Sequence, residues 1–231
     1  MAIKGVLFDF SGTLMRIESA DSWLRAAAER TGTVLDEAEL VTVAAALEAA
    51  GALPGGSAPT SVPPELAELW RVRDVDASHH RDLYTGLARQ VALPDPELYD
   101  ALYERHWQPA AWHPYPDTAA VLRGLSERNV GVVVVSNIGW DVRPVFRAHG
   151  LAGWVDAFVL SYEHGVQKPD PRLFRIACDA LGLAPEQVLM VGDDARADGG
   201  AAALGCAVHL VDHRPVDQRP EGLLPVLRLI G

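Results

Sequence analysis

Four short stretches of this chain carry side chains suited to chemistry. In the first, Asp9 ends the apolar run IKGVLF, and Gly12 and Thr13 turn the chain just after it. In the last, VLMVGDDARADGGAAALG, three carboxylates crowd into six residues at Asp193, Asp194 and Asp198. Like charges packed this closely destabilise a fold unless a cation offsets them. An oxygen-rich, carboxylate-led donor set favours Mg2+ over zinc. Between these stretches, Ser136 and Asn137 close the run VVVV, and Lys168 stands in GVQKPDPRLF. Lys168 is one of only two lysines in the chain; the other, Lys4, belongs to the first apolar run. Taken alone, Ser136-Asn137 is an ordinary turn signal. Asp170 reads as the N-cap of a helix opening at Pro171.

The elements that must position these residues follow from hydrophobic patterning. Ile3 and Val6–Phe8 read as a fully buried strand, so Asp9 stands at its C-terminal end, where open α/β sheets bind ligands. From Thr118 onward, strands and helices alternate. Strands are expected at Val130–Val135, Ala157–Leu160, Gln187–Val191 and Ala207–Leu210. Helices are expected at Thr118–Arg128, Asp141–His149, Pro171–Leu181 and Gly199–Leu204. That alternation predicts right-handed βαβ units, hence an α/β fold with a Rossmann-like parallel sheet and helices on both faces. Before it lies a helical block: Ser22–Arg30, Leu35–Ala50, Pro64–Val72, Ala77–Val91 and Pro96–Trp107. Residues 51–64, GALPGGSAPTSVPP, read as a mobile loop, and Trp107 to Asp117 as a proline-stiffened linker back to the sheet.

The motif D-x-x-G-T-L after an apolar strand resembles the first motif of the haloacid dehalogenase-like hydrolases. G-x-x-K-P-x-P-x-x-F and G-D-x-x-x-x-D resemble their third and fourth. The resemblance covers residues 2–14 and 130–206 through motifs, and the helical block through architecture alone. It implies a core of residues 1–14 and 111–231 with an inserted all-helical cap over 15–110. It also implies a Mg2+-dependent hydrolase of a small phosphorylated metabolite. Asp9 would be the nucleophile, forming an aspartyl-phosphate that water hydrolyses. Mg2+ would be held by Asp9, the Ser11 carbonyl and Asp193, with Asp194 and Asp198 supporting the site. Lys168 would clamp the phosphate, Ser136 and Asn137 would hold phosphoryl oxygens, and Thr13 would order the first motif's loop and contact the substrate. Arg16, just after that motif, is a candidate substrate contact at the rim.

One position departs from the family pattern. Its phosphatases carry a second Asp two residues after the nucleophile, acting as general acid and base, and this chain has Ser11. A hydroxyl is too weak an acid for that task, whose loss typically lowers rate about 10²–10⁴-fold. The expectation is slow hydrolysis, a restriction to good leaving groups, or a different reaction. Phosphonate-cleaving members need a lysine from the cap, and none lies between Gly5 and Gln167. The 2-haloacid dehalogenases carry neutral residues where this chain has GDDARAD, yet they share a non-acidic residue at the Ser11 position. A catalytically weak ligand- or partner-binding protein is the alternative outside enzymology, with the loop around 54–64 and the helical cap as contact surfaces. In the cap, His79, His80 and Arg81 form a polar cluster. Trp107, Trp112 and Tyr115 are expected to pack the joint between cap and core.

Composition narrows the partners. The chain has 231 residues, 49% of them hydrophobic, and a net charge of -11. That is ample for a core, and it disfavours a nucleic-acid binder, which needs a basic footprint. No run is long enough to span a bilayer, and Asp9 interrupts the one apolar N-terminal segment. Cys178 and Cys206 sit among apolar neighbours and read as reduced core residues of a cytoplasmic protein. Oligomeric state is left open.

Overall fold

The computed structural model describes residues 2–230. In chain order the elements are β1 (Gly5–Phe8), β2 (Met15–Ile17), α1 (Ala20–Thr31), α2 (Glu37–Ala49), α3 (Ala67–Val72), α4 (Ala77–Ala88) and α5 (Glu97–Arg105). Then come β3 (Trp112–Pro114), α6 (Thr118–Ser126), β4 (Gly131–Ser136), α7 (Arg143–Ala148), β5 (Ala157–Leu160) and α8 (Ser161–His164). The last are α9 (Pro171–Leu181), β6 (Val188–Gly192), β7 (Ala207–Leu210) and α10 (Val226–Leu229).

Five strands form one parallel sheet in the order β5-β4-β1-β6-β7. Side chains alternate across it, as the pleat requires. Val6, Phe8, Val132 and Val134 join one buried cluster, and Leu7, Val133, Val135 and Met190 the other. Leu173, Phe174 and Ala177 of α9 cover the second face, while Leu122 and Leu125 of α6 and Phe146 of α7 cover the first. This is the doubly covered α/β sheet that uninterrupted apolar runs predict. On the α9 face, Cys178 and Cys206 bring their Sγ atoms to 3.9 Å, both buried and free.

Helices α1 to α5 pack mainly on one another before the chain returns to the sheet. Asp36 and Glu39 start α2 with reciprocal side-chain to backbone bonds of 2.9 Å, a capping box. The indole of Trp23 in α1 donates to the Leu102 carbonyl of α5 at 2.8 Å, and Arg105 grips Glu18 through two bonds of 2.6 and 2.9 Å. Trp112 and Tyr115 are buried at the joint with the sheet, as expected, whereas Trp107 is partly exposed.

Three local expectations change. The expected linker contains β3, which pairs antiparallel with β2 through Met15↔Pro114, Arg16↔His113 and Ile17↔Trp112. Such a three-residue ribbon is too short to show periodicity. Residues 198–204 form a 3-10 turn rather than an α-helix, since Gly199 and Gly200 disfavour helix. The 51–64 stretch is not free chain at its start: Gly51 to Pro54 are buried, with Leu53 in the main apolar cluster.

Candidate active site

The C-terminal ends of β1, β4 and β6 bring three of the four chemical stretches to one place. β1 and β6 flank the point where the strand order reverses, which is where open α/β sheets form their binding crevice. Asp9 follows β1 directly, and its N–H still donates to the Val191 carbonyl at 2.9 Å, so the carboxylate is held at the strand edge. Asp193 follows β6. Asp9, Asp193 and Asp198 each offer an oxygen within 4.8 Å of the others.

Lys168 completes the cluster. Its Nζ lies 2.8 Å from Asp9 Oδ1 and 2.6 Å from Asp198 Oδ1, and its side chain is 2% exposed. Asn137 fixes the loop that carries it: Asn137 Nδ2 donates to the Lys168 carbonyl at 2.9 Å, and Asn137 Oδ1 accepts the Lys168 N–H at 2.6 Å. Asn137 therefore lines the cleft, but its amide is engaged by protein rather than aimed at a ligand. Ser136 lines the cleft beside it.

The electrostatics favour a cation. Burial pushes the Asp9 carboxyl up to about 7; Lys168 opposes that rise, while Asp198 and Asp193 add to it. Burial also acts to raise Asp193, but the His213 imidazole, Lys168 and the Thr13 hydroxyl outweigh it and hold Asp193 below the usual carboxylate range. Burial opposes the charge on Lys168 as well, yet Asp198 and Asp9 hold its ammonium more firmly than in water. Three carboxylates thus share one ammonium, and an added divalent ion would keep Asp9 ionised.

The donors differ in availability. Asp198 has both oxygens engaged, Oδ1 by Lys168 and Oδ2 by the Asp194 N–H at 3.0 Å. Asp194 lines the cleft, but it lies outside the close carboxylate group, and its Oδ1 accepts from the N–H groups of Arg196 and Ala197 at 2.7 and 2.9 Å. Asp193 also has both oxygens engaged, Oδ1 by the Thr13 hydroxyl at 3.1 Å and Oδ2 by His213 Nδ1 at 2.5 Å, whereas Asp9 meets Lys168 through Oδ1 alone.

Thr13 and Arg16 do not reach the cleft as substrate contacts. Thr13 is fully buried, and its hydroxyl donates to Asp193 Oδ1 at 3.1 Å. Arg16 sits between the buried Met15 and Ile17 on β2, so strand alternation turns it to the other face. Ser11 does reach the cleft, and its Oγ donates to the Gly55 carbonyl at 3.3 Å. The 51–58 loop is thereby a wall of the site. Gly55 has φ +78°, and a Cβ there would lie 2.7 Å from the Trp112 ring and 2.9 Å from Ser11 Oγ. Gly12 is likewise required: φ is +80°, and a Cβ would meet Asp193 Oδ2 at 2.4 Å.

Sequence reasoning missed several participants. His213 Nδ1 lies 2.5 Å from Asp193 Oδ2. It is three residues past β7, the neighbour of β6, so its place beyond a parallel strand end was the available signal. Arg219 is buried and braces the turn after Asp9, donating to the Gly12 carbonyl at 2.6 Å and to the Thr13 carbonyl. Its guanidinium stacks 3.2 Å from the centre of the Tyr115 ring. From the helical side come Arg73, Asp74 and Tyr84, joined by His80 of the polar cluster already named from the sequence, closing a cleft of about 430 Å³. His80 is 2% exposed, and burial, with His106 and Arg73, holds its imidazole neutral, far below its usual range. Arg81 turns outward to Asp100 at 2.7 Å.

Comparison with known proteins gives a family and a fold. The family described as haloacid dehalogenase-like hydrolase matches residues 3–205. The chain is 37% identical over 126 residues to phosphoserine phosphatase of Thermus thermophilus, a match covering 52% of this chain and 49% of that protein. It therefore spans about half the length of that relative. It is 30% identical over 154 residues to (S)-2-haloacid dehalogenase 1 of a Pseudomonas species, covering 61% of this chain and 68% of that one. Among solved structures, L-2-haloacid dehalogenase of Xanthobacter autotrophicus superposes with a TM-score of 0.63 at 22% identity, over 98% of this chain and 86% of that one, a likeness of fold. Among the described residues, no helix is long and apolar enough to cross a membrane.

Proposed function

This chain belongs to the haloacid dehalogenase-like hydrolases, and from that membership we propose that it hydrolyses a small phosphorylated metabolite through an aspartyl-phosphate on Asp9. The observation that carries the reading is the group of Asp9, Asp193 and Asp198, with oxygens within 4.8 Å of one another and Lys168 between two of them. A carboxylate nucleophile must approach an anionic phosphoryl group, so positive charge at that point is the main requirement. Asp9 and Asp193 would hold a divalent cation, for which their hard oxygens favour Mg2+. Bound there, the cation supplies charge that offsets the repulsion between nucleophile and phosphoryl oxygens.

The chain's own residues do the rest. Lys168 keeps Asp9 oriented and presents an ammonium to the transferring group. Asp198 holds that ammonium from behind and is a positioning residue. Ser136 offers a hydroxyl to a phosphoryl oxygen. Asn137 acts through the main chain of Lys168, fixing where the ammonium sits.

A second reading, dehalogenation of a 2-haloacid, is supported by the relative of that activity and by the non-acidic Ser11. One screen separates the two. Turnover of alkyl phosphates, aryl phosphates, acetyl phosphate and 2-chloropropionate is measured with Mg2+ and with chelator. Mg2+-dependent phosphate release, abolished in Asp9→Asn, is expected. Chloride release that is indifferent to chelator, with no phosphate release, would overturn the phosphatase reading.

A further inference from the structure

Ser11 leaves the cleft without the carboxyl that would protonate a leaving group, and the helical side supplies one. Asp74 lies in the turn between α3 and α4 and lines the same cleft as Asp9, Ser136 and Lys168. It is 3% exposed, a costly position for a carboxyl group without a purpose. Its main chain is fastened to the core on both sides. The Asp74 N–H donates to Gln167 Oε1 at 3.4 Å, and the Ser161 hydroxyl donates to the Asp74 carbonyl at 2.5 Å. Gln167 immediately precedes Lys168, and its Nε2 also donates to the Arg71 carbonyl at 2.7 Å. Ser161 Oγ in turn accepts the N–H of Ile138, the residue after Asn137. The two core loops that place Lys168 and Asn137 therefore place Asp74 as well.

The carboxyl itself is held loosely. Arg73 Nε approaches Asp74 Oδ2 at 3.3 Å, but Arg73 is drawn elsewhere, donating to the Trp70 carbonyl at 2.7 Å and stacking on the Trp70 ring. His80 Nε2 stands 4.0 Å from Asp74 Oδ1, beyond hydrogen-bond reach. The charged and titratable groups facing Asp74 are Arg73 beside it, His80 and Tyr84 of α4, Tyr103 of α5 and Lys168 of the core. Burial outweighs the pull of Arg73 and Lys168, so this carboxyl keeps its proton to higher pH than an ordinary Asp. His213, beside the carboxylates, has its Nδ1 against Asp193 Oδ2; its Nε2 is the competing acid, and Asp74→Asn leaves that nitrogen untouched.

We infer that Asp74 is the general acid and base of the reaction, contributed by the helical insertion in place of the residue at position 11. The inference rests on the phosphatase reading above. Asp9 attacks phosphorus, and the bond from phosphorus to the leaving oxygen breaks. That oxygen keeps the electron pair and takes the proton of Asp74, leaving an aspartyl-phosphate and the free alcohol. Asp74, now a carboxylate, removes a proton from the water that attacks phosphorus. The acyl-phosphate bond breaks, phosphate departs, Asp9 is restored as carboxylate and Asp74 is protonated again.

The test compares wild type with Asp74→Asn on an alkyl phosphate and on 2,4-dinitrophenyl phosphate, whose leaving group departs without a proton. The expected loss in kcat/KM is about 10²–10⁴-fold on the alkyl ester and less than about tenfold on the dinitrophenyl ester. Equal losses on both esters, or none on either, would overturn the role of Asp74 while leaving the phosphatase reading intact. Failure of the wild type to hydrolyse either ester would overturn that reading itself. The pH profile of the wild type gives a check that needs no variant. Activity on the alkyl ester should fall at high pH, where Asp74 ionises, through a limb that the dinitrophenyl ester lacks. Superimposable limbs contradict the assignment.

Discussion

Replacing His106 by Asn should flatten the acid side of this protein's stability curve. His106 is fully buried at the end of α5, with its Nδ1 against the Tyr103 carbonyl and its Nε2 without a partner. The rings of Trp107 and Trp140 lie 5.8 and 5.3 Å away. Burial lowers its pKa to about 3, partly opposed by the Tyr103 carbonyl. A pKa depressed in the folded state means that the unfolded chain takes the proton first. The stabilising difference is complete above the unfolded value of about 6.5 and is lost as pH falls toward about 3. By about pH 4, roughly 2.5 pH units at about 1.4 kcal/mol each remove about 3 kcal/mol. That is a large part of a typical folding free energy. Asn keeps an N–H to offer the Tyr103 carbonyl and cannot titrate. Losing the ring costs about 1–3 kcal/mol, equally at every pH. Urea unfolding of both proteins from about pH 7.5 to 4 should therefore show wild type leading at neutral pH and the gap closing by about 3 kcal/mol in acid. Parallel curves would refute the argument. Trp140 belongs to the loop after β4, so the same protonation would loosen the seam between helical insertion and sheet, and activity should fall over the same window.

Lys168→Met removes the one ammonium shared by Asp9 and Asp198; breaking such buried pairs typically costs about 3–5 kcal/mol. Differential scanning calorimetry should show a lower Tm that Mg2+ partly restores, with vanadate affinity lost; unchanged vanadate binding would remove Lys168 from anion recognition. Gly55→Ala forces a side chain into φ +78° and against the Trp112 ring, and should destabilise by about 1–3 kcal/mol while lifting the loop from Ser11. A neutral effect on Tm would show that the 51–58 wall is not packed as described.

What the sequence revealed was what lies close together along it. Buried parallel strands announce themselves as apolar runs, and Asp9, Ser136 and Asp193 each stand within two residues of a strand end, so their convergence followed from topology. The contacts that complete the site are distant in sequence. Ser11 meets Gly55 across 44 residues, Asp74 meets Ser161 across 87, and Arg219 reaches Gly12 across 207. No local pattern encodes such pairings. The 51–58 loop misled because proline and glycine signal only turns, whereas Leu53 within it supplies the apolar anchor that buries it. Thr13 and Arg16 were misplaced for a related reason: adjacency to a motif does not fix the direction in which a side chain points.

The central claim is that Asp9 becomes phosphorylated. Mixing the protein and Mg2+ with excess aryl phosphate, quenching in acid within one turnover, and reading peptide masses would test it directly. The account predicts a phosphoryl adduct on the peptide carrying Asp9, absent in Asp9→Asn and decaying as phosphate is released. Phosphate release at full rate with Asp9 unmodified at every quench time, or preserved in Asp9→Asn, would contradict it.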